Sequence, residues 1–304
     1  MIVSIGLVTF QSNSQDLGRT AASLIGALEV ARVTHDVEAR LVFVVNDTQV
    51  EHVSHIEKFV AQLRPKMPQG AQISIIKGHG NIGYGGGQNK AILSGDSEYH
   101  LVLNPDVSFD DNVIADCIAF MKAHPETAMT VPQGYDHTDE YAYLSKRPPS
   151  ILVLIVRGLS LRWLNRVFRS QLSRYTYRET LPAISPVPVT LASGCFMFCR
   201  TGILHKIKGF NEKYFLYFED FDLSMRIQKH GKIVELPDVR IRHYGGHANP
   251  KNSKRIGHFA RSAIRFFNSY GWRYYKNPPD SEDSDNTIDS PIERHKKNTS
   301  TSKW

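Results

Sequence analysis

The chain has 304 residues, 41% of them hydrophobic, with 37 basic against 30 acidic side chains and a formal net charge of +7. That hydrophobic content is enough for a sizeable core, and α/β folds often use this length for one domain. Cys117, Cys195 and Cys199 make neither an even disulfide set nor a metal spacing, which predicts a reducing, cytoplasmic setting, and no run reaches the roughly 18 uncharged apolar residues of a membrane span.

The opening MIVSIGLVTF lacks a basic leader and a cleavage site and reads as a buried first strand, Ile2 to Val8. Leu17 to Val33 follows as a helix opened by Asp16, Leu41 to Val45 as an apolar strand, and Val50 to Leu63 as a helix closed by Pro65. Ile73 to Ile76, Tyr99 to Leu103 and Ala128 to Val131 supply further strands, with a helix from about Asn112 to Ala123. Strand alternating with helix predicts an α/β fold, a mostly parallel central sheet with helices on both faces. In such sheets ligands bind beyond the carboxyl ends of the strands. Those ends carry Thr9, then Asn46 and Asp47, then GHGNIGYGGGQNK, then Asn104-Pro105-Asp106.

Gly78, Gly80 and Gly83 satisfy G-x-G-x-x-G, with Asp96 and Glu98 near the distance of a ribose-binding acid. A dinucleotide fingerprint belongs in a turn that directly opens a helix, however, and here three more glycines precede Asn89. The segment reads instead as a loop whose backbone passes close to a ligand, with Tyr84 packing on it and Asn81 or Asn89 fixing the turn. Asp106, just past a buried strand, has two readings: a cation ligand beside a diphosphate, or an Asx turn ended by Pro105.

Between Tyr141 and Arg178 stand eight basic residues and no acid. Leu161, Leu164, Phe168, Leu172 and Tyr175 share one helical face, flanked by Arg162, Arg166 and Arg169, and the apolar run Ile151 to Val156 precedes them. This predicts a basic amphipathic helix lying on anionic lipid; the alternative is a core-packed helix with a solvated basic edge, and nucleic acid fits less well because no nucleic-acid module accompanies the charge.

Further on, Ser193 and Gly194 form a small-residue loop, and the aromatic run Tyr214 to Phe218 leads into Glu219, Asp220 and Asp222. Leu223 and Ile227 repeat at helical spacing and Gly231 stops the helix, so these acids fall at a helix start. There they act either as first-turn charge or, with a pKa raised by apolar neighbours, as a proton acceptor. Two short strand-like runs end at His243. Arg255 to Tyr275 alternates basic and aromatic residues as a last helix, and Lys276 to Trp304 is a polar tail predicted to be disordered.

The ordered set Thr9, Asn46-Asp47, NIGYGGGQN, LNPD, Ser193-Gly194, GFNEKYFLYFEDFDL and His243 resembles the inverting glycosyltransferases of family 2, with a GT-A fold, and most closely their rhamnosyltransferase branch. The resemblance covers about residues 1 to 270. It implies that Asp220 is the catalytic base, that Glu219 and Gly194 meet the acceptor, and that Asp106 and His243 hold Mg2+ or Mn2+. It also implies a nucleotide-sugar donor, dTDP-rhamnose first, contacting Thr9, Asn46, Asp47, Asn81, Gly83, Tyr84, Asn104 and Asp106. The acceptor would be a glycan or polyprenyl-diphosphate-linked saccharide in cell-surface polysaccharide assembly, met at the cytoplasmic face of the inner membrane. The sequence departs from the family where Asn46-Asp47 stands for aspartate-asparagine and where Asn104 opens the metal motif, and His247 rivals His243. UDP-galactose or UDP-glucose remains a rival donor, and a non-catalytic nucleotide- or glycan-binding relative a rival function. A nucleotidyltransferase is disfavoured because Thr9 to Gly18 has no lysine for a triphosphate.

The expected organisation is one domain, 1–275, comprising a nucleotide-sugar half (1–133), the basic insert (134–186) and a catalytic half with the last helix (187–275), followed by the tail, 276–304.

Overall fold

The computed structural model describes residues 1–159, 161–245 and 253–272; His247 and the tail lie outside the described residues. Nine strands form one sheet among these residues, in the order β3 (Gln72–Ile76), β2 (Glu38–Val45), β1 (Ile2–Thr9), β4 (Tyr99–Leu103), β8 (Phe196–Arg200), β6 (Thr127–Tyr135), β9 (Lys232–His243) and β5 (Val107–Phe109), with β7 (Val187–Pro188) beside β9. β1, β2, β3 and β4 run parallel, as does β6 with β9. β8 enters antiparallel between β4 and β6, so the sheet is mixed and the acid-bearing second half of the chain is joined to the centre of the first. The two strand-like runs before His243 are one strand, broken in register where Leu236 pairs Pro132 and Arg240 pairs Gln133.

Alternation along β1 builds the two faces. Val3, Ile5 and Leu7 join Leu17, Leu24 and Leu28 of α1 (Ser14–His35) and Ile114 and Ile118 of α4 (Val113–Ala123) in one core. Val102, Met129 and Met197 point to the other face, under Ile92 of α3 (Tyr84–Ile92), Leu204 of α8 (Thr201–Lys206) and Leu223 of α9 (Glu219–Ile227). α2 (Val50–Leu63) matches its expected span. Asn13, rather than Asp16, caps α1, its side chain accepting from the Asp16 N–H at 2.8 Å.

Two expectations are corrected. The glycine segment is not a loop throughout, because a helix opens directly after Gly83, whose φ of +81° suits glycine. Gly85, Gly86 and Gly87 lie buried in α3 against protein and not against a ligand: a Cβ on Gly85 would stand 2.9 Å from Phe210 Cβ, and one on Gly87 2.8 Å from Val8 Cγ2. Their smallness lets α3 settle onto the sheet.

The basic insert is likewise not one helix. It breaks into α5 (Ile151–Leu159), α6 (Arg162–Val167) and α7 (Arg169–Tyr175), the last break falling at Phe168, whose ψ of 26° leaves the helical range. Of the expected apolar face only Tyr175 is buried, and Leu161 is exposed. α10 (Ser253–Tyr270) presses Phe266 and Phe267 onto the aromatic run before α9, so that aromatic face is spent on the fold.

Gly87→Ala is expected to cost about 1–3 kcal/mol, the usual penalty of overpacking, read as a lower denaturation midpoint at unchanged slope. An unchanged midpoint would refute the close-packing role of α3.

Candidate active site

The parallel register sets Thr9 beside Val45 and Leu7 beside Leu103, so Thr9, Asn46 and Asn104 emerge at one edge of the sheet. Thr9 is buried, with its hydroxyl 3.5 Å from the Val44 carbonyl. Asn46 donates through Nδ2 to the Gly83 carbonyl at 2.8 Å, while its buried Oδ1 has no partner. Asp47 accepts from the Gln49 N–H at 3.0 Å and lies 2.9 Å from His52 Nδ1. Asn81 Oδ1 accepts from the Gly83 N–H at 3.1 Å, shaping the turn into α3.

Asp106 follows β4, and the antiparallel pairing of β5 with β9 brings His243 alongside it. Asp106 Oδ1 and His243 Nε2 face each other at 3.2 Å; neither has a hydrogen-bond partner. Gly245 closes over the pair, where a Cβ would fall 2.0 Å from Asp106 Oδ2 and 2.8 Å from His243 Nε2. Two orphaned donors of oxygen and imidazole type suit a divalent cation whose remaining ligands come from a diphosphate and water. Among the described residues no third carboxylate, cysteine or histidine completes a protein-only site.

Glu219 and Asp220 occupy the first turn of α9, entered through a constrained bend: Tyr217 and Phe218 have φ of 68° and 63°, rare for residues with side chains. Aromatic packing holds the bend, with Phe218 5.3 Å from Phe259 and 5.4 Å from Phe266 between ring centroids. Asp220 accepts the Gly194 N–H through Oδ2 at 3.1 Å and the Phe221 N–H through Oδ1 at 2.9 Å. Glu219 is buried and its Oε2 has no partner. Burial raises both carboxyl pKa values, and the Asp220 charge lifts Glu219 further, whereas the two backbone N–H donors hold Asp220 lower. Their environments thus separate an ionised Asp220 from a protonated Glu219 near neutrality.

The loop before β8 braces this pair. Tyr84 donates to the Gly194 carbonyl at 2.6 Å, and the Ala192 N–H donates to Ser224 Oγ at 3.1 Å. Gly194, expected at the acceptor, therefore spends its N–H on Asp220 and its carbonyl on Tyr84. Tyr84 supports the carboxylate from behind. Asp222 faces away, 2.8 Å from both Arg226 Nε and the Tyr270 hydroxyl, and does not cap the helix. Cys195 is buried, and its thiol is pushed up to about 12 by burial and then by the Asp106 and Asp220 carboxylates, which places both acids near it.

Asp220, Glu219 and Ser193 line a cavity of about 1140 Å³ whose other wall is the insert, through Lys146, Arg157, Arg169 and Arg178. Arg162 and Arg166 are exposed outside it. In the sequence the cationic wall is visible only as a run of basic residues without an acid; its direction is not.

A curled mixed sheet with helices on both faces, shared with the solved structures below, defines a GT-A architecture. The model of "Glycosyl transferase family 2" matches residues 4–207, and the chain belongs to that family. It is 26% identical over 184 residues to the N-acetylglucosaminyl-diphospho-decaprenol L-rhamnosyltransferase of Mycobacterium tuberculosis, covering 57% of this chain and 59% of that protein. It is 25% identical over 178 residues to the rhamnosyltransferase WbbL of Escherichia coli, covering 56% and 64%. The chain thus spans about six-tenths of the length of these relatives. GalNAc-T7, crystallised with UDP, GalNAc and Mn2+, shares the fold at a TM-score of 0.57 and 13% identity over 86% of this chain and 47% of that one. S. aureus TarS 1-349 in complex with UDP-GlcNAc does so at 0.52 and 15%, over 88% and 67%.

A carboxyl whose folded pKa is raised costs stability as pH climbs. Below about pH 4 folded and unfolded chains both carry the proton and the cost vanishes; above it the unfolded chain ionises first. Glu219→Gln is therefore expected to raise the melting temperature by a few degrees at and above neutrality, with the gain shrinking towards about pH 4. Equal melting temperatures at neutral pH would refute the buried, strained state of Glu219.

Proposed function

We propose that this protein is an inverting glycosyltransferase that moves L-rhamnose from dTDP-rhamnose to a hydroxyl of a glycan or polyprenyl-diphosphate-linked saccharide. The reading is carried by the Glu219–Asp220 pair opening on a large cavity. Asp220 takes the proton of the acceptor hydroxyl as its oxygen bonds to the anomeric carbon. The bond from that carbon to the nucleotide diphosphate breaks, its electron pair leaves on the phosphate oxygen, and the configuration inverts. Glu219, protonated and with a free Oε2, donates a hydrogen bond to the acceptor and keeps it in line. Asp106 and His243 would hold Mg2+ or Mn2+, which supplies positive charge to the departing diphosphate. Thr9, Asn46 and Asn104 meet the nucleoside side, where the free Oδ1 of Asn46 is an acceptor for a base N–H. Rhamnose rests on the names of the two rhamnosyltransferase relatives.

We place the reaction at the cytoplasmic face of a membrane. Among the described residues no helix is long and apolar enough to cross one. Yet Ile155, Leu159, Trp163 and Val167 are exposed on α5 and α6, beside Arg162 and Arg166, as an interfacial surface requires.

Thermal shift with dTDP-rhamnose, UDP-galactose, UDP-glucose, UDP-N-acetylglucosamine and GDP-mannose, with and without Mn2+, is expected to single out dTDP-rhamnose with Mn2+. Asp220→Asn is then expected to lose about two to four decades of turnover with donor binding kept. The wild-type rate should fall on an acid limb near pH 6, above the ordinary aspartate range. Undiminished turnover in the variant would remove the base assignment. For the membrane, Arg162→Glu with Arg166→Glu is expected to abolish flotation with anionic liposomes, and unchanged flotation would refute docking through this face.

A further inference from the structure

The cavity beside Asp220 carries more positive charge than its own acids balance. Lys146, Arg157, Arg169 and Arg178 line it, against Glu219 and Asp220 alone. Lys146 and Arg157 both stand over the Tyr175 ring, 5.8 and 5.4 Å from its centroid, and Arg178 stands over the Tyr143 ring at 4.9 Å. Glu235, the acid that offsets them in part, is already engaged by the hydroxyls of Tyr141 and Ser145, each at 2.6 Å. Lys146 is half-buried and Arg157, Arg169 and Arg178 are exposed to the cavity they line, so their summed charge draws an anion into it, and a guanidinium fork matches phosphate oxygens.

The helices that carry the wall indicate which anion. α5, α6 and α7 turn Leu154, Arg157, Asn165 and Arg169 towards the cavity, while α5 and α6 leave Leu159, Trp163 and Val167 exposed outside it. An anion bonded to an apolar chain would use both surfaces; a free nucleotide would use only the inner one. Asp106 and His243, the candidate partners of a nucleotide diphosphate, do not line this cavity. Its volume of about 1140 Å³ exceeds that of most drug-sized sites and leaves room for a saccharide as well.

We propose that Lys146, Arg157, Arg169 and Arg178 bind the diphosphate of a lipid-linked saccharide acceptor, setting its sugar hydroxyl at Asp220 while the lipid leaves over the exposed side of α5 and α6. This rests on the reading of Asp220 as the acceptor-side base, and it gives the basic insert a task in substrate recognition besides lipid contact.

The probe is N-acetylglucosamine joined through a diphosphate to a short prenyl chain, compared with the same sugar and chain joined without phosphate. Calorimetric titration of the full chain is expected to give at least about tenfold tighter binding of the diphosphate probe, the worth of one charge-assisted hydrogen bond. Arg157→Gln combined with Arg178→Gln is expected to erase that preference, while circular dichroism and the affinity for whichever nucleotide sugar stabilises the wild type stay unchanged. Arg169→Gln alone, an exposed position, is expected to reduce the preference and serves should the double variant misfold. Equal binding of the two probes by wild type, or an undiminished preference in the folded variants, would overturn the site. Equal weakening of nucleotide-sugar and probe binding would assign the arginines to the donor diphosphate and overturn the acceptor assignment. No transfer is measured, so failure of the base assignment and failure of this site are distinguishable.

Discussion

Everything at the candidate active site depends on keeping two adjacent carboxyls in a place that penalises their charge. Glu219 and Asp220 sit at the start of α9 because Tyr217 and Phe218 accept left-handed backbone, and that conformation persists because Phe259 and Phe266 of α10 pack on Phe218. The cost is met by contacts far along the chain. Backbone N–H groups, those of Gly194 and Phe221 first, ease Asp220, whereas the buried Oε2 of Glu219 has no hydrogen-bond partner. An asymmetry in hydrogen bonding thus becomes an asymmetry in protonation, which suits one carboxyl to accept a proton and the other to donate a hydrogen bond.

The brace behind Asp220 links elements that have little to do with one another in sequence. Gly83 ends the turn that Asn81 and Asn46 hold, Tyr84 opens α3 and reaches Gly194, and Gly194 reaches Asp220. The glycines of α3 make this possible by letting the helix lie close to Val8 and Phe210. The Asn81 turn and the Asp220 carboxylate are therefore parts of one packed unit, and small displacements of α3 would reach Asp220.

The insert balances two surfaces. Its outward side carries exposed aliphatic and aromatic groups with Arg162 and Arg166; its inward side carries the cations that face Glu219 and Asp220. A continuous amphipathic helix can present its charges along one stripe only, whereas three short helices with a break at Phe168 divide them between solvent and cavity. Arg169, at the first position after that break, belongs to the cavity.

Local pattern was enough for much of this. The alternation of apolar strands and amphipathic helices, the polar residues at strand ends, and the order of Thr9, Asn46, Asp106, Asp220 and His243 were legible because periodicity and turn chemistry act over a few residues. What the sequence could not carry were relations across distance. β8 lies antiparallel between β4 and β6 and β5 pairs with β9 through long-range hydrogen bonds, which alone bring Asp106 to His243. Six glycines in ten residues suggested a ligand loop, since neither Val8 nor Phe210 could be seen waiting to pack on them. The concentration of basic residues between Tyr141 and Arg178 could be counted in the sequence. Which of them face a cavity is a matter of tertiary packing, because helix breaks and burial are decided by neighbours that lie elsewhere in the chain.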